Sequence, residues 1–152
     1  MNLIVQGRMC LLGEHSERAC GYRRITSTIA EIEPGYAIIC GTNQGVFAEV
    51  EKHNSLLVLT ATTPDGKSLH AEFPMKADYL LREAHSGSFW SYIAGVAYQA
   101  LSLYQVRGLV IDNYRTDLPI QIGLSSSAAI CVLAARAFSR GSSQSLAAMS
   151  TR

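Results

Sequence analysis

The residues best suited to chemistry lie in a serine-rich turn, Gly123-Leu124-Ser125-Ser126-Ser127-Ala128. Phosphate needs backbone N–H groups that converge on it without side-chain clashes, and the glycine permits that approach. The serine hydroxyls can bond phosphate oxygens or ligate Mg²⁺, which takes hard oxygen ligands and keeps several waters. No lysine follows the glycine, so this is not a Walker A loop. The alternative is an ordinary N-cap, because serine before an alanine-rich helix is common.

The elements around this turn favour anion binding. An apolar, strand-like run over residues 108–114 comes before it, and a small-residue helix pattern over 128–138 comes after it. A strand, a flexible turn and a helix in that order aim free N–H groups and a positive helix end at an anion. The pattern predicts a helix that begins at Ser126 or Ser127 and ends near Ser139.

A second group of polar residues lies near the N-terminus. Arg8 is followed closely by Glu14, His15 and Glu17, at the end of an apolar run. Carboxylates suit sugar hydroxyls as acceptors, and arginine suits phosphoryl charge because its planar fork can be bidentate. The alternative is a solvated surface loop with a satisfied histidine. The other histidines have no metal-ligand spacing, so we expect His53, His70 and His85 at the surface.

The first half of the chain shows strand patterns separated by turns. We expect a hairpin whose turn is Thr42-Asn43-Gln44-Gly45, and another turn at Pro64-Asp65-Gly66. The predicted strands cover residues 3–12, 25–32, 36–41, 46–50, 56–61 and 69–73.

The second half changes to helical periodicity. Residues 77–84 predict a short helix, and residues 90–104 predict an amphipathic helix with Ser88 or Ser91 near its start. A strand over 108–112 and the helix after the serine-rich turn complete the pattern. Strands first and helices later indicate an α+β fold, with helices on one face of a largely antiparallel sheet.

Size and composition indicate one domain. The chain has 152 residues, of which 48% are hydrophobic. Its net charge is only +1, which excludes the excess of positive charge that is typical of proteins that bind nucleic acid or anionic membranes. No signal peptide is visible, and the longest apolar run is far below the roughly 20 residues of a membrane span. The four cysteines lack C-x-x-C spacing, which is typical of free thiols in the cytoplasm. We expect a domain over 1–140 and a polar tail over 141–152.

Two stretches together resemble a known family. Gly7-Arg8-Met9-Cys10-Leu11-Leu12-Gly13-Glu14-His15 resembles the first signature of the GHMP kinases, the superfamily of galactokinase and mevalonate kinase, and is closest to the sugar-kinase branch. The stretch from Pro119 to Ala129 resembles the second signature, P-x-x-x-G-L-S-S-S-A-A. The resemblance implies the ribosomal-protein-S5-domain-2-like fold and an ATP-dependent small-molecule kinase.

The resemblance also implies roles for individual residues. Arg8 would stabilise charge on the transferred phosphoryl group, and Ser126 or Ser127 would ligate Mg²⁺. Glu14, His15 and Glu17 would bind the sugar. The ATP phosphates would be bound by the serine-rich turn, namely Gly123, Leu124, Ser125, Ser126, Ser127 and Ala128. These roles agree with phosphoryl transfer, which depends mostly on positioning and charge stabilisation.

Some positions depart from the family pattern. Glu17 replaces an aspartate, which leaves hexose recognition open, and Gln121 replaces a glycine of the phosphate loop. The family's catalytic aspartate and third signature follow later, so we expect this chain to be the N-terminal part of a kinase with negligible activity alone. The alternatives are a non-catalytic remnant or nucleotide-binding module and, within the family, a mevalonate-type kinase. Protein partners are left open.

Overall fold

The computed structural model describes residues 1–13, 36–63, 66–104, 106–118 and 126–141. The predicted strand over 25–32 and most of the predicted tail lie outside these ranges. The described elements are the strands β1 (Asn2–Leu12), β2 (Ile38–His53), β3 (Leu56–Thr62), β4 (Ser68–Pro74) and β5 (Gly108–Thr116), and the helices α1 (Ala77–His85), α2 (Ser91–Leu103) and α3 (Ser126–Gly141).

The described strands form one sheet in the order β1-β2-β5-β3-β4. The β1–β2, β2–β5 and β3–β4 pairs are antiparallel, and β3 pairs with β5 in parallel. This topology confirms the predicted α+β class and the largely antiparallel sheet. It also makes β1, β3 and β5 run in the same direction, so their C-terminal ends lie at one edge of the sheet.

The core lies on one face of the sheet. Alternate strand residues are buried there, because successive side chains in a strand point to opposite faces. α3 packs over β1, β2 and β5, while α1 contacts β4 and α2. The helices therefore cover one face, as predicted. The fully buried larger side chains of this core are Leu3, Val46, Leu57, Leu59, Leu80, Ile111, Leu118 and Leu133.

The predicted hairpin at residues 42–45 is wrong. β2 runs without a turn from Ile38 to His53, and both of its halves pair with β1. The register moves from Gln6 opposite Gly45 to Arg8 opposite Gly41, so β2 carries extra residues at this point. A bulge absorbs them, and the Thr42 hydroxyl donates to the carbonyl of Gln44 at 2.9 Å. Pairing with a distant strand therefore overrides the local turn signal.

The other turn prediction is confirmed at its described residues. Gly66 has φ +79°, and its N–H donates to the carbonyl of Thr63 at 2.9 Å, which joins β3 to β4. α2 begins at Ser91, next to the predicted start. α3 ends at Gly141, two residues beyond the predicted end.

The three histidines outside the first signature differ in their surroundings. His70 and His85 are exposed, as predicted. His53 is half-buried, and its Nδ1 accepts the N–H of Leu56 at 2.9 Å. This hydrogen bond stabilises the turn between β2 and β3, and it occupies Nδ1 of His53. Within the described ranges, no helix has both the length and the hydropathy of a membrane-spanning segment.

Candidate functional site

A cavity of about 270 Å³ opens where the C-terminal ends of β3 and β5 meet the first residues of α2 and α3. Its inner wall is aliphatic, its mouth has aromatic rings, and hydroxyl groups surround it. The lining residues are Leu59, Thr60, Ala61, Thr62, Thr63, Ser88, Phe89, Trp90, Tyr92, Ile93, Ile111, Asn113, Thr116, Ser126, Ser127, Ile130 and Leu133. The residues among these that the sequence singled out are Ser126, Ser127 and, as a helix start, Ser88.

Ser126 and Ser127 are the first two residues of α3 and both line the cavity. The helix is anchored by Leu133 and Phe138, which are buried in the core. A helix start carries free N–H groups and a partial positive charge, so this wall of the cavity suits an anion. Ala128 is exposed and does not line the cavity. Gly123, Leu124 and Ser125 lie outside the described residues.

Aromatic rings form the mouth of the cavity. Phe89 and Trp90 meet edge to face, with ring centroids 4.8 Å apart. Phe89 and Tyr92 are each more than half exposed. Ser88 fixes this segment, because its hydroxyl donates to the Glu83 carboxylate of α1 and accepts the Trp90 N–H at 3.1 Å. Exposed rings beside an apolar cavity offer flat surfaces to a planar ligand.

The deep polar group of the cavity is Asn113 on β5, the one polar residue that is buried in the described chain. Its Nδ2 donates to the carbonyls of Phe47 at 2.9 Å and Arg115 at 3.1 Å. Its Oδ1 accepts the Thr116 hydroxyl at 3.0 Å. These bonds satisfy the buried amide and fix its orientation.

None of the described residues that line the cavity has a charged side chain. The nearest ion pair along the chain joins Arg115 to Asp117 at 2.7 Å, outside the cavity. The Asp117 carboxylate raises the pKa of the Arg115 guanidinium above its ordinary value through a hydrogen bond and charge attraction. No group of three or more His, Cys, Asp or Glu residues that could hold a metal occurs in the described ranges.

Arg8 lies on β1, opposite Gly41, and is exposed. Val5, Val46 and Thr116 form one row across the sheet, and Arg8 is three residues farther along β1. Standard strand spacings place its Cα about 14 Å from that of Thr116. Arg8 thus shares the edge of the sheet with the cavity but does not line it. Glu14, His15 and Glu17 lie outside the described residues.

Sequence reasoning did not identify Phe89, Trp90, Tyr92, Asn113 or Thr116 as site residues. The sequence contained one indication for Asn113. It follows Leu109 and Ile111 at every second position of β5, so it lies on the buried face of that strand. A polar side chain in such a register requires a partner inside the fold. The aromatic residues follow Gly87 and Ser88 at the start of a helix. At such a position the local sequence pattern predicts where the helix begins, but it does not predict which side chains line a cavity.

Comparisons with known proteins agree with this arrangement at the level of the fold. No protein-family model matches the chain, and no curated protein matches its sequence. Among solved structures, mevalonate kinase from Methanococcus jannaschii is similar, with a TM-score of 0.62, 20% sequence identity, and coverage of 96% of this chain and 41% of that one. A second mevalonate kinase structure has a TM-score of 0.65 and 19% identity, with 96% and 42% coverage.

The chain therefore spans about two-fifths of the length of these solved kinases. The matches confirm the fold that the GHMP-kinase resemblance implied. Both the topology of the described sheet and the two structures lead to one conclusion: the chain has an α+β fold similar to that of these mevalonate kinase structures.

Proposed function

We propose that this chain is the nucleotide-binding part of an ATP-dependent small-molecule kinase, and that the cavity at the start of α3 receives ATP. The observation that carries the proposal is the position of Ser126 and Ser127. They lie at a helix start and line an apolar cavity with exposed aromatic rings at its mouth. A nucleotide needs both features, because its phosphates are anionic and its base is flat and largely apolar.

In this proposal, the free N–H groups and hydroxyls at the start of α3 bind the phosphates. The base enters between the aromatic mouth and the aliphatic wall formed by Ile93, Ile111 and Leu133. Arg8, at the same edge of the sheet, supplies positive charge toward the transferred phosphoryl group. Gly123, Leu124, Ser125 and Ala128 complete the phosphate-binding turn as the sequence predicts.

Mg²⁺ fits this donor set only together with ATP. The described cavity offers the hydroxyl oxygens of Ser126 and Ser127 and no carboxylate. Mg²⁺ commonly keeps several waters and takes phosphate oxygens along with one or two protein groups. Either serine could supply a hard oxygen ligand, and bound Mg²⁺ would reduce the negative charge of the phosphates.

Two substrate classes are proposed for the complete enzyme. Glu14, His15 and Glu17, together with the first signature, favour a sugar hydroxyl as the acceptor of the γ-phosphate. The two similar solved structures are mevalonate kinases, which favours a hydroxy acid of the mevalonate type. In either case we propose that turnover belongs to a protein comparable in length to those kinases.

The proposal is tested by binding of Mg-ATP to the full chain, measured by isothermal titration calorimetry and by thermal shift. A ligand that binds the native state raises its melting temperature, so we expect a rise at millimolar Mg-ATP. The double variant Ser126→Ala/Ser127→Ala should weaken binding roughly tenfold or more, the worth of one or two bonds to a charged group. Absence of a shift and of binding heat would refute the proposal.

Ser139→Ala is the matched control for the double variant. Ser139 lies on the same helix, near its other end, and is exposed. Its substitution should leave Mg-ATP affinity unchanged. If both variants weakened binding equally, the effect would report on the helix as a whole and not on its N-terminal site.

The alternative function is a non-catalytic nucleotide-binding module. A coupled assay of ADP release over a panel of monosaccharides, with mevalonate as a further arm, tests whether this chain is a kinase by itself. We expect binding of Mg-ATP with negligible turnover from this chain alone. Robust turnover with one substrate would show a self-sufficient kinase and would identify the substrate class.

A further inference from the structure

We propose that two copies of this chain associate through β4, edge to edge, and form an antiparallel dimer with one continuous sheet. β4 (Ser68–Pro74) ends the described sheet on one side, and among the described strands it pairs only with β3. The outer N–H and C=O groups of an edge strand can pair with another strand. The inference is independent of the proposed function, because no residue of β4 lines the cavity at the start of α3.

The two edges of the described sheet differ in their protection against such pairing. Natural edge strands are protected by bulges, charged side chains or proline. At the β1 edge, the register with β2 shifts at two places, and the Arg136 guanidinium of α3 donates to the Ile4 carbonyl at 2.8 Å. β4 instead forms seven consecutive pairs with β3 and contains no lysine. Its only proline, Pro74, is the last residue of the strand, so the rest of β4 keeps its backbone donors.

The sequence of β4, Ser-Leu-His-Ala-Glu-Phe-Pro, is complementary to itself in the antiparallel direction. In a two-fold dimer one residue faces its own copy, and the residues on either side of it face each other crosswise. With Ala71 at the axis, His70 faces Glu72 of the second copy. Leu69 likewise faces Phe73 of the second copy. Apolar side chains therefore meet apolar side chains, and each carboxylate meets an imidazole.

Other registers with the same faces aligned are less favourable. An axis at Glu72 places two carboxylates directly opposite each other, and like charges in such a pair are destabilising. An axis at His70 places the two imidazoles opposite each other and leaves Phe73 and Pro74 facing residues outside β4. The Ala71 register pairs all seven residues of the strand. The pattern of side chains thus favours one arrangement of the two copies.

On the face that carries the core, the dimer extends an apolar surface. Leu69 and Phe73 lie on this face, because they pair with the buried residues Ala61 and Leu57. Both are half-buried in the single chain, so part of each side chain is available for a contact. A two-fold axis perpendicular to the sheet keeps α1, which contacts β4, on this same face in both copies. The second copy therefore covers apolar surface at the edge of the core.

On the opposite face, His70 and Glu72 are accessible to the second copy. Their side chains are 55% and 56% exposed, and His70 Nε2 lies 3.3 Å from Glu72 Oε1. The Thr60 hydroxyl, 3.3 Å from His70 Nδ1, fixes the imidazole on this face. Side chains directly opposite each other in an antiparallel pair have Cβ atoms about 5 Å apart. Two imidazoles and two carboxylates therefore alternate around the axis of the dimer.

The first experiment measures the mass of the full chain by size-exclusion chromatography with light scattering over a range of concentrations. We expect the mass to rise with concentration from 16.5 kDa toward twice that value. Hydrogen–deuterium exchange at low and high concentration identifies the interface, and the amides of β4 should gain protection while those of β1 do not. A mass of one chain at every concentration would overturn the proposal. A dimer without added protection in β4 would overturn it as well.

An exchange of charges at positions 70 and 72 tests the register. Glu72→Lys removes the acceptor that faces His70, at two symmetry-related places. We expect the dissociation constant of the dimer to rise roughly tenfold or more. The double variant His70→Glu/Glu72→Lys places opposite charges across the axis again and should restore most of the affinity. Circular dichroism and thermal melting verify that the variants fold.

Glu49→Lys is the matched control for Glu72→Lys. Glu49 is exposed on β2, two strands away from β4 in the sheet, and its substitution makes the same change in net charge. It should leave the dissociation constant unchanged. A folded Glu72→Lys variant that dimerises as tightly as the wild type would overturn the assignment to β4. Failure of the double variant to recover affinity would overturn the Ala71 register.

Discussion

The side-chain Nδ2 of Asn113 donates a 2.9 Å hydrogen bond to the backbone carbonyl of Phe47, 66 residues earlier in the chain. The β2–β5 register is irregular at this point, because Phe47 faces Arg115 whereas Glu49 faces Asp112. One additional residue of β5 is therefore accommodated in a bulge. The amide of Asn113 supplies a donor to a carbonyl at the place where the ladder is interrupted.

This relationship predicts that Asn113→Asp destabilises the fold. Aspartate has nearly the same shape but cannot donate to the Phe47 and Arg115 carbonyls, and it brings a carboxyl group into a buried position. We expect the free energy of unfolding to fall by about 3 kcal/mol. Urea denaturation at pH 7 measures it. Asn43→Asp, at an exposed asparagine of β2, should change stability by no more than about 0.5 kcal/mol.

The β1–β2 register predicts opposite outcomes for two glycines of β2. A Cβ at Gly45 would lie 2.6 Å from the Val5 carbonyl oxygen, so Gly45→Ala should cost about 1–3 kcal/mol. A Cβ at Gly41 would meet no atom within 4 Å. Gly41→Ala should therefore be neutral or should stabilise by up to about 1 kcal/mol. Thermal or urea unfolding of both variants checks the pair, and equal effects would contradict the register.

Adjacent leucines on α1 test the packing of that helix. Leu80 is fully buried, whereas Leu81 is 38% exposed. Leu80→Ala should cost about 2–5 kcal/mol, because it removes buried methyl groups and leaves a cavity. Leu81→Ala should cost much less, about 0.5 kcal/mol or below. A reversed order in urea denaturation would show that α1 packs through another face.

Burial raises the pKa of the Cys131 thiol above its ordinary value of 9.0. The neutral thiol is therefore favoured more in the folded state than in the unfolded state. The resulting stabilisation is fully present below pH 9 and is lost as the pH rises through the higher pKa of the folded state. At pH 8 we expect iodoacetamide to modify Cys131 more slowly in the native protein than in urea, because the thiolate is the reactive form. Peptide mass spectrometry measures both rates; equal rates would contradict the shift.

Much of the local structure could be predicted from the chain itself. The helices over residues 77–85 and 91–103 and the start of α3 at Ser126 follow from 3.6-residue periodicity and from serine at a helix start. Strands such as β3 follow from alternating or apolar runs bounded by turn residues. These features depend on near neighbours, so a single sequence carries them.

The predicted hairpin turn at residues 42–45 is wrong for a physical reason. Thr-Asn-Gln-Gly is a good local turn, but both flanking runs gain more by pairing with β1 than with each other. The turn residues become a bulge in one long strand. Local propensity cannot foresee this outcome, because the competing partner is about forty residues away in the chain.

By itself, the sequence determined the class of fold, most of the elements, and the two short stretches that resemble a kinase. Only the tertiary structure decided that the ends of β3 and β5 meet the starts of α2 and α3, so that Ser126 and Ser127 share a cavity with Asn113 and three aromatic residues. Helical and strand periods are local properties of the chain. The cavity depends on strand order and register, which are set by burial of the whole core and by hydrogen bonds between residues far apart in sequence.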